Sequence, residues 1–293
     1  MKKKLLLLAV LGCLLYNQGN AQSPGTGSPA SNPSPDGSNM IHKKGTFFIT
    51  PYYEFTHFKN LELVEHTNFH SLVEGEFQDI YLQEDLDEYN THYGTEYQSG
   101  LAGLKIGYQI FDGFGVSAYG GFTHFNFKSW ISDDNAQHLS SQYPAVSFGG
   151  GIDYQKKLYN KLIAMSVLSV NYCFTDTPEI KNITGEKSLS SNMKSMFWEL
   201  DLALAYPLGR FVPYAGAGYT QQFVHSVHEE QILTTDDAGN DFYNRTTFDS
   251  QFRGSSFYGF AGLEYKLNKG ASVFLKSSFP NPFRSSFGFR IVL

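Results

Sequence analysis

Large apolar residues alternate with small or polar residues along most of this chain after residue 44. The last nine residues, SSFGFRIVL, show the pattern, because Phe287, Phe289, Ile291 and Leu293 all have the same parity. Successive side chains of a β-strand point to opposite faces, so a period of two predicts strands. Ten segments have this period, at approximately 45–58, 97–111, 114–128, 143–157, 161–175, 194–207, 210–226, 252–267, 271–279 and 282–293.

The connections between these segments alternate in length. The short ones have the composition of tight hairpin turns and are FDGF, LYNK, PLGR and NKGA, at 111–114, 158–161, 207–210 and 268–271. The long ones cover roughly 59–96, 129–142, 176–193 and 227–251. This alternation predicts an antiparallel meander with short turns at one end and long loops at the other.

The two faces of the predicted strands differ in charge. One face is apolar, carries no charge along the strand body and tends to end in an aromatic residue, as in Leu104 to Ile110 and Trp198 to Tyr206. The other face contains Gly, Ser, Thr and five acidic and five basic residues, which are Glu54, Lys105, Asp153, Glu199, Asp201, Glu264, Lys266, Lys276, Arg284 and Arg290. A soluble barrel would place these charges in water, whereas a membrane barrel places them in its lumen. The aromatic strand ends and the lack of a polar tail after Leu293 favour the membrane barrel.

The N-terminal residues predict export. Residues 1–21 combine three lysines, a short apolar run and small residues at Gly19 and Ala21, which is typical of a signal peptide cleaved after Ala21. Lipidation at Cys13 is the alternative. Residues 22–43 are rich in Pro, Gly and Ser and predict a flexible leader, and residues 44–293 form the predicted barrel domain. The mature chain has no apolar run of the ~18 residues that a membrane-spanning helix needs.

Three segments of the chain resemble a known family: GLAGLKIGYQIFDGFGVSAYGGF, FVPYAGAGYTQQF and SSFYGFAGLEYKL. Together with the C-terminal SFGFRIVL, they resemble the small bacterial outer-membrane β-barrel proteins, which include opacity-protein-like, OmpA-like and Bacteroidetes-type porin-like barrels. The resemblance implies an all-β protein, a single antiparallel up-and-down transmembrane barrel in the outer membrane of a Gram-negative bacterium. It also implies a polar lumen, long extracellular loops and short periplasmic turns. Such barrels usually have eight strands, so eight remains the alternative to ten.

The resemblance also suggests a role for the last strand. In this family the C-terminal strand is similar to the signal that the barrel-assembly machinery reads. That signal usually ends in an aromatic residue, whereas this chain ends in a leucine. The candidate assembly residues are Phe287, Phe289, Ile291 and Leu293.

A ten-stranded barrel is little wider than the eight-stranded size that side chains can fill. Unpaired charges inside it would be costly, so the ten lumenal charges predict an ion-pair network that plugs the lumen. A small polar pore that selects solutes by charge is the alternative. We expect inward glycines to leave room for the long charged side chains, namely Gly103, Gly107, Gly149, Gly151, Gly216, Gly218 and Gly262.

The long loops offer candidate contact surfaces. The first is acidic, with interleaved aromatic residues, and its candidate contact residues are Phe77, Tyr81, Asp85, Asp87 and Tyr89. Its sequence QEDLDE lacks the ligand spacing of a calcium loop. Alternation continues on both sides of DDAGN at 236–240, which predicts that the seventh and eighth strands extend beyond the membrane as a hairpin.

Neither metal binding nor catalysis is predicted. His225 and His228 are three residues apart, so they would face opposite sides of a strand. His225 and Ser226 are adjacent and do not form a hydrolase pair, and Cys173 lacks a basic neighbour in sequence. No cofactor is expected, and the formal net charge of -6 argues against a nucleic-acid partner.

The sequence therefore predicts a non-catalytic outer-membrane barrel whose surface loops serve adhesion, ligand contact or envelope integrity. The expected partners are outer-membrane lipid and lipopolysaccharide, the barrel-assembly machinery, and an extracellular protein or glycan. A porin-like channel for small solutes is the second hypothesis. An enzyme at the extracellular rim is the third.

Overall fold

The computed structural model describes residues 44–72, 75–80, 95–132, 135–141, 144–159, 161–175, 178–181, 187–235, 241–268 and 270–293. The predicted signal peptide and leader lie outside these residues. Among the described residues there is no helix long and apolar enough to cross a membrane.

The described residues form fourteen β-strands. They are β1 (Phe47–Lys59), β2 (Glu62–Leu72), β3 (Gly75–Ile80), β4 (Glu96–Phe111), β5 (Phe114–Ser132), β6 (Asn135–Ser141), β7 (Ala145–Tyr159), β8 (Leu162–Thr175), β9 (Pro178–Lys181), β10 (Lys187–Ala205), β11 (Phe211–Thr235), β12 (Asp241–Asn268), β13 (Ala271–Phe279) and β14 (Phe283–Val292).

Ten of these strands close into an antiparallel ring. Their order around the barrel is β1, β4, β5, β7, β8, β10, β11, β12, β13 and β14, and β14 pairs with β1. The closing register joins Phe48 to Val292 and His57 to Phe283. The predicted fold class and the count of ten strands are therefore confirmed, and the eight-stranded alternative is wrong.

Three barrel strands extend well past the predicted segments. β11 and β12 continue as a hairpin up to the pair Thr235 and Asp241, as the alternation on both sides of DDAGN predicts. β10 begins at Lys187 and pairs with this extension, so the loop predicted at 176–193 is partly strand. A strand needs only ~9–11 residues to span a membrane, and β12 has 28. Much of β12 therefore lies on the extracellular side.

The predicted long loops contain further strands. β2 pairs with β12 from Glu62 and Arg253 to Ser71 and Arg245, whereas β13 pairs with the other part of β12, from Gly259 to Asn268. β2 thus pairs with the same edge of β12 as β13 does, in the part of β12 that extends beyond the end of the short β13–β14 hairpin. β3 pairs with β2, and β6 pairs with β5 and β9. The prediction that 59–96 is wholly loop is wrong.

The distribution of side chains is that of a membrane barrel. Leu202, Phe148 and Ile106 are 56%, 49% and 41% exposed on the outer surface. Glu199 and Lys105, on the opposite parity, are buried inside. The apolar face therefore points outward and the charges point inward, which excludes the soluble-barrel alternative.

Candidate functional site in the barrel interior

Four charged side chains meet near the middle of the barrel, and we call them the central cluster: Glu199 and Asp201 on β10, Lys276 on β13 and Arg284 on β14. Lys276 Nζ lies 2.5 Å from Asp201 Oδ2 and 3.7 Å from Glu199 Oε1. Arg284 forms an ion pair with Glu199. All four side chains are at least nine-tenths buried, and their two negative and two positive charges balance.

The central cluster crosses the lumen rather than following the wall. β10 and β14 are four steps apart in a ring of ten strands, where five steps would be diametrically opposite. The Glu199–Arg284 pair therefore bridges nearly opposite walls. Glu54 on β1 lies in the field of the same cations, Arg284 and Lys276.

Neutral hydrogen-bonding groups also contact the central cluster, although Arg284 Nε is buried without a hydrogen-bond partner among the described residues. The Tyr258 hydroxyl donates to Asp201 Oδ1 at 2.7 Å, and Arg284 Nη2 donates to Thr220 Oγ1 at 3.3 Å. The Thr220 hydroxyl in turn donates to the carbonyl oxygen of Trp198 at 3.1 Å. Such bonds offset part of the cost of burying these charges.

The other predicted lumenal charges form groups beside the central cluster. Arg290 Nη1 lies 3.8 Å from Glu264 Oε1, and Lys266 Nζ donates to the Gly209 carbonyl oxygen at 3.4 Å. Gln109 Nε2 donates to Asp153 Oδ2 at 3.1 Å, and Asp153 is also the strongest opposite charge acting on Lys105. All ten predicted lumenal charges are buried.

Most of the inward glycines face aromatic rings. Of the charged side chains that the sequence led us to expect, Asp201 lies beside Gly218, where a Cβ atom would come 2.6 Å from its Oδ1. Each ring lies directly across from its glycine on the neighbouring strand. A Cβ atom on any of these glycines would come within 2.0 to 3.0 Å of the ring. The pairs are Phe48–Gly107, Tyr52–Gly103, Tyr119–Gly149, Tyr214–Gly262, Tyr258–Gly218, Phe260–Gly216 and Phe274–Gly288. Gly151 is an exception, because its missing Cβ would meet the backbone and side chain of β8.

Several of these rings also make cation–π contacts with the lumenal lysine and arginine side chains. Lys276 Nζ lies 4.4 Å from the ring centre of Phe260, and Arg284 Cζ lies 5.8 Å from that of Tyr258. Arg290 Cζ lies 5.4 Å from the ring of Phe48. A cation over an aromatic face gains about 0.5–2 kcal/mol, more when desolvated. The glycines therefore position the cations indirectly, by letting the rings lie against the wall.

Apolar residues fill the interior on either side of the charges. Toward the extracellular end, one buried cluster contains Phe58, Leu61, Leu63, Tyr97, Phe125, Phe127, Ala145, Cys173, Met193, Val224 and Phe252. The centroids of the Phe127 and Phe252 side-chain rings are 4.9 Å apart, although β5 and β12 are five strands apart and lie on opposite sides of the barrel. A second buried cluster, which includes Ile163, Met165, Ala205 and Val212, lies toward the short turns. The sequence predicted only the polar part of this interior.

The remaining predicted site residues lie elsewhere. Phe77 is in β3, but its side chain lies outside the described residues. The other loop candidates lie outside them entirely, namely Tyr81, Asp85, Asp87 and Tyr89. In β14 the assembly candidates Phe287 and Ile291 are exposed and Phe289 is half-buried. The backbone N–H of Leu293 donates to the Phe47 carbonyl oxygen at 2.9 Å.

The described residues contain no group of three or more His, Cys, Asp or Glu side chains that could hold a metal ion. His225 Nε2 lies 2.8 Å from Asp249 Oδ1 on the adjacent strand. Cys173 is buried in the extracellular apolar cluster, and burial leaves its thiol without access to solvent.

The closed antiparallel ring, the apolar outer face and the charged interior define an outer-membrane β-barrel protein. The autotransporter beta-domain profile matches residues 81–277, which are 197 of the 293 residues. The chain belongs to that family. The resemblance to small bacterial outer-membrane barrels is confirmed. A search of curated proteins found no matching sequence.

Solved structures of outer-membrane proteins are also similar to the chain. The outer membrane protein OprG from Pseudomonas aeruginosa is 12% identical, with 86% of this chain and 97% of that chain covered and a TM-score of 0.39. The translocator domain of the autotransporter NalP from Neisseria meningitidis is 7% identical, with 99% and 94% covered and a TM-score of 0.39. The toluene transporter TodX from Pseudomonas putida is 14% identical, with 94% of each chain covered and a TM-score of 0.33.

Proposed function

We propose that this protein is a non-catalytic outer-membrane barrel that is closed to solutes and presents an extracellular β-sheet for adhesion or ligand contact. The observation that carries the proposal is the set of contacts that cross the lumen. The central cluster joins β10 to β13 and β14, and the Phe127–Phe252 contact joins β5 to β12.

These contacts form two barriers of different chemistry. A solute passing the central cluster would separate buried ion pairs, and leaving a buried charge without its partner costs about 3–5 kcal/mol. An ion passing the layer of Phe127 and Phe252 would lose its hydration among apolar side chains. A hydrated solute therefore meets an unfavourable environment at both levels.

Conductance of the purified protein in planar bilayers tests the closed lumen. We expect no reproducible openings from the unmodified protein, and openings from the double variant Arg284→Ala with Phe127→Ala, which removes one side chain from each barrier. The control is Arg253→Ala with Phe257→Ala, because Arg253 is exposed and Phe257 is 80% exposed on the outer surface. Channel openings from the unmodified protein would overturn the closed-lumen proposal.

The extracellular sheet is the proposed contact surface. β10, β11, β12 and β2 continue as one sheet beyond the barrel, and the adjoining loop is acidic with interleaved aromatic residues. Aromatic loop residues are frequent anchors in interfaces.

Replacement of residues 81–94 tests this surface. The loop is replaced by a Gly/Ser linker of the same length, because Ile80 pairs with Thr67 of β2 whereas Thr95 lies beside Leu61, and β2 then keeps its pairing with β12. We expect cells that display the altered protein to lose attachment to immobilised extracellular protein or glycan that the intact protein binds. The same replacement of 236–240, at the tip of the β11–β12 hairpin, is the control. Equal attachment by the intact protein and the protein with the 81–94 replacement would contradict the proposal for this loop.

Transport is the second candidate function, because the chain belongs to a family named for autotransporters. For small solutes it requires an open path through the lumen of the barrel. The bilayer experiment separates the two candidates, since a transporter of small solutes conducts without the double substitution.

A further inference from the structure

A groove runs along the lipid-facing surface above β8 and has a volume of about 430 Å³. Its lining contains the small residues Ala164 and Ser166 on β8 and Ala215 and Gly216 on β11, together with the larger Tyr154 on β7 and Leu202 and Leu204 on β10. The register explains the shape. Ser166 pairs with Tyr154 on one side and Leu202 on the other, so small residues lie between large ones.

The dimensions suit one hydrocarbon chain. β7 and β10 are two strand spacings apart, which is about 10 Å between the strand axes. Leu168, the next outward residue of β8 toward the extracellular side, is 40% exposed and lies outside the groove lining. The groove therefore lies toward the end of the barrel that has the short turns.

A lysine lies at that end of the groove. Lys156 on β7 is exposed and lies directly opposite Ala164 of the groove lining. Lys157 and Lys161 follow at the β7–β8 turn and are also exposed. Within the described part of the chain, no ion pair is found for Lys156. The apolar groove thus ends in a positively charged rim.

We infer that this groove binds one acyl chain of an anionic phospholipid of the periplasmic leaflet, with Lys156 contacting the phosphate. The outer surface is immersed in lipid, so the groove is filled by acyl chain rather than water. Basic residues near a membrane surface attract anionic headgroups, and the long lysine side chain reaches the headgroup level while its methylenes stay in the apolar region.

Native mass spectrometry of the intact barrel with phosphatidylglycerol or phosphatidylcholine tests the site. We expect tighter retention of phosphatidylglycerol. Lys156→Gln should weaken its binding about fivefold, since one basic residue at an anionic surface contributes about 1 kcal/mol, and leave phosphatidylcholine unchanged. Ala164→Leu fills the groove and should weaken both lipids.

Matched controls separate this site from general lipid coverage. Lys44→Gln removes an exposed lysine at the same end of the barrel, and Ala118→Leu enlarges an outward alanine on β5; neither should change lipid retention. Heat-modifiable gel mobility verifies that each variant is folded. Equal retention of both lipids by the unmodified protein, or equal effects of the site and control variants, would overturn the inference. Displacement of phosphatidylglycerol by lipopolysaccharide would overturn the assignment to the periplasmic leaflet. These outcomes are independent of whether the lumen conducts.

Discussion

At the scale of single residues, the interior depends on pairs of glycine and aromatic residues on neighbouring strands. A ring can lie flat against the wall only where the facing residue has no Cβ. The ring then offers its other face to a cation, as Phe260 does to Lys276. Substitution of these glycines therefore disturbs both the packing and the position of the charge.

Gly216→Ala should be destabilising. A Cβ at this position would lie 2.0 Å from the Leu202 carbonyl oxygen and 2.8 Å from the Phe260 ring, and the backbone atom cannot move aside. We expect a loss of about 1–3 kcal/mol in the free energy of unfolding, as for other overpacked sites. The measurement is urea unfolding in lipid vesicles. Gly259→Ala, whose Cβ would have 3.8 Å to its nearest neighbour, is the control and should change little.

Asp201→Ala should cost more than a surface substitution. It leaves Lys276 with a weaker partner in a buried site, and removing one member of a buried pair costs about 3–5 kcal/mol. Equilibrium unfolding measures this loss. The double variant Asp201→Ala with Lys276→Ala should lose less than the sum of the single losses, because the uncompensated charge is gone. Additive losses would show that the two side chains do not interact.

The sequence predicts which side chains point inward, but not which of them meet. Parity is a local property of each strand, so the burial of Glu199 and Arg284 follows from the period of two. Their contact depends on how the completed ring brings β10 opposite β14. The aromatic partners of the glycines were also missed, although Tyr52 and Gly103 could have been matched as inward residues at the same height of adjacent strands.

At the scale of elements, β2 completes the wall beyond the short β13–β14 hairpin. Asn281 in that hairpin turn accepts a hydrogen bond from the Lys59 N–H at 3.0 Å and donates to the Lys59 carbonyl at 2.9 Å. The chain then turns at Asn60, which has a φ of 59°, and continues as β2. Asparagine tolerates this left-handed conformation better than most residues.

Disulfide trapping tests the position of β2. Glu65 pairs with Gln251 in the register of β2 and β12, and their side chains are joined by a hydrogen bond of 2.7 Å. We expect Glu65→Cys with Gln251→Cys to form a disulfide, because paired residues have Cα atoms within bonding range. Glu65→Cys with Asp249→Cys is two residues out of register and should remain reduced. Crosslinking of the second pair alone would contradict the register.

Asn281→Ala should loosen the junction between β1 and β2. It removes two hydrogen bonds to Lys59, each worth about 0.5–1.5 kcal/mol. Hydrogen exchange should become faster at Lys59 and Leu61, with little change at the distant turn residue Leu208, whose N–H bonds to the Phe211 carbonyl. Unchanged exchange at Lys59 would mean that other contacts hold the junction.

The short strands β2, β3, β6 and β9 escaped the sequence analysis for a physical reason. The barrel strands alternate strongly because lipid lies on one side and the packed interior on the other. Outside the membrane no lipid enforces this contrast, and these four short strands do not alternate clearly, whereas β11 and β12 keep their alternation beyond the membrane. The residues of the candidate contact loop at 81–94 have no such pattern either.

At the scale of the whole molecule, closure of the ring removes every sheet edge within the membrane. The folded barrel should therefore resist detergent and migrate faster than the heated chain on a gel. Shifted mobility on boiling, together with recovery in the outer-membrane fraction, checks this expectation. A chain with the same mobility before and after heating would not form a closed barrel.

The arrangement of the central cluster also affects how the barrel is completed. Its acids lie on β10, whereas its bases lie on the last hairpin, β13 and β14. A partly assembled sheet that lacks this hairpin keeps two carboxylates facing a space without their counter-ions. The charges of the central cluster balance only when the final strands join. This favours insertion of the barrel as one cooperative event without stable, partly assembled intermediates.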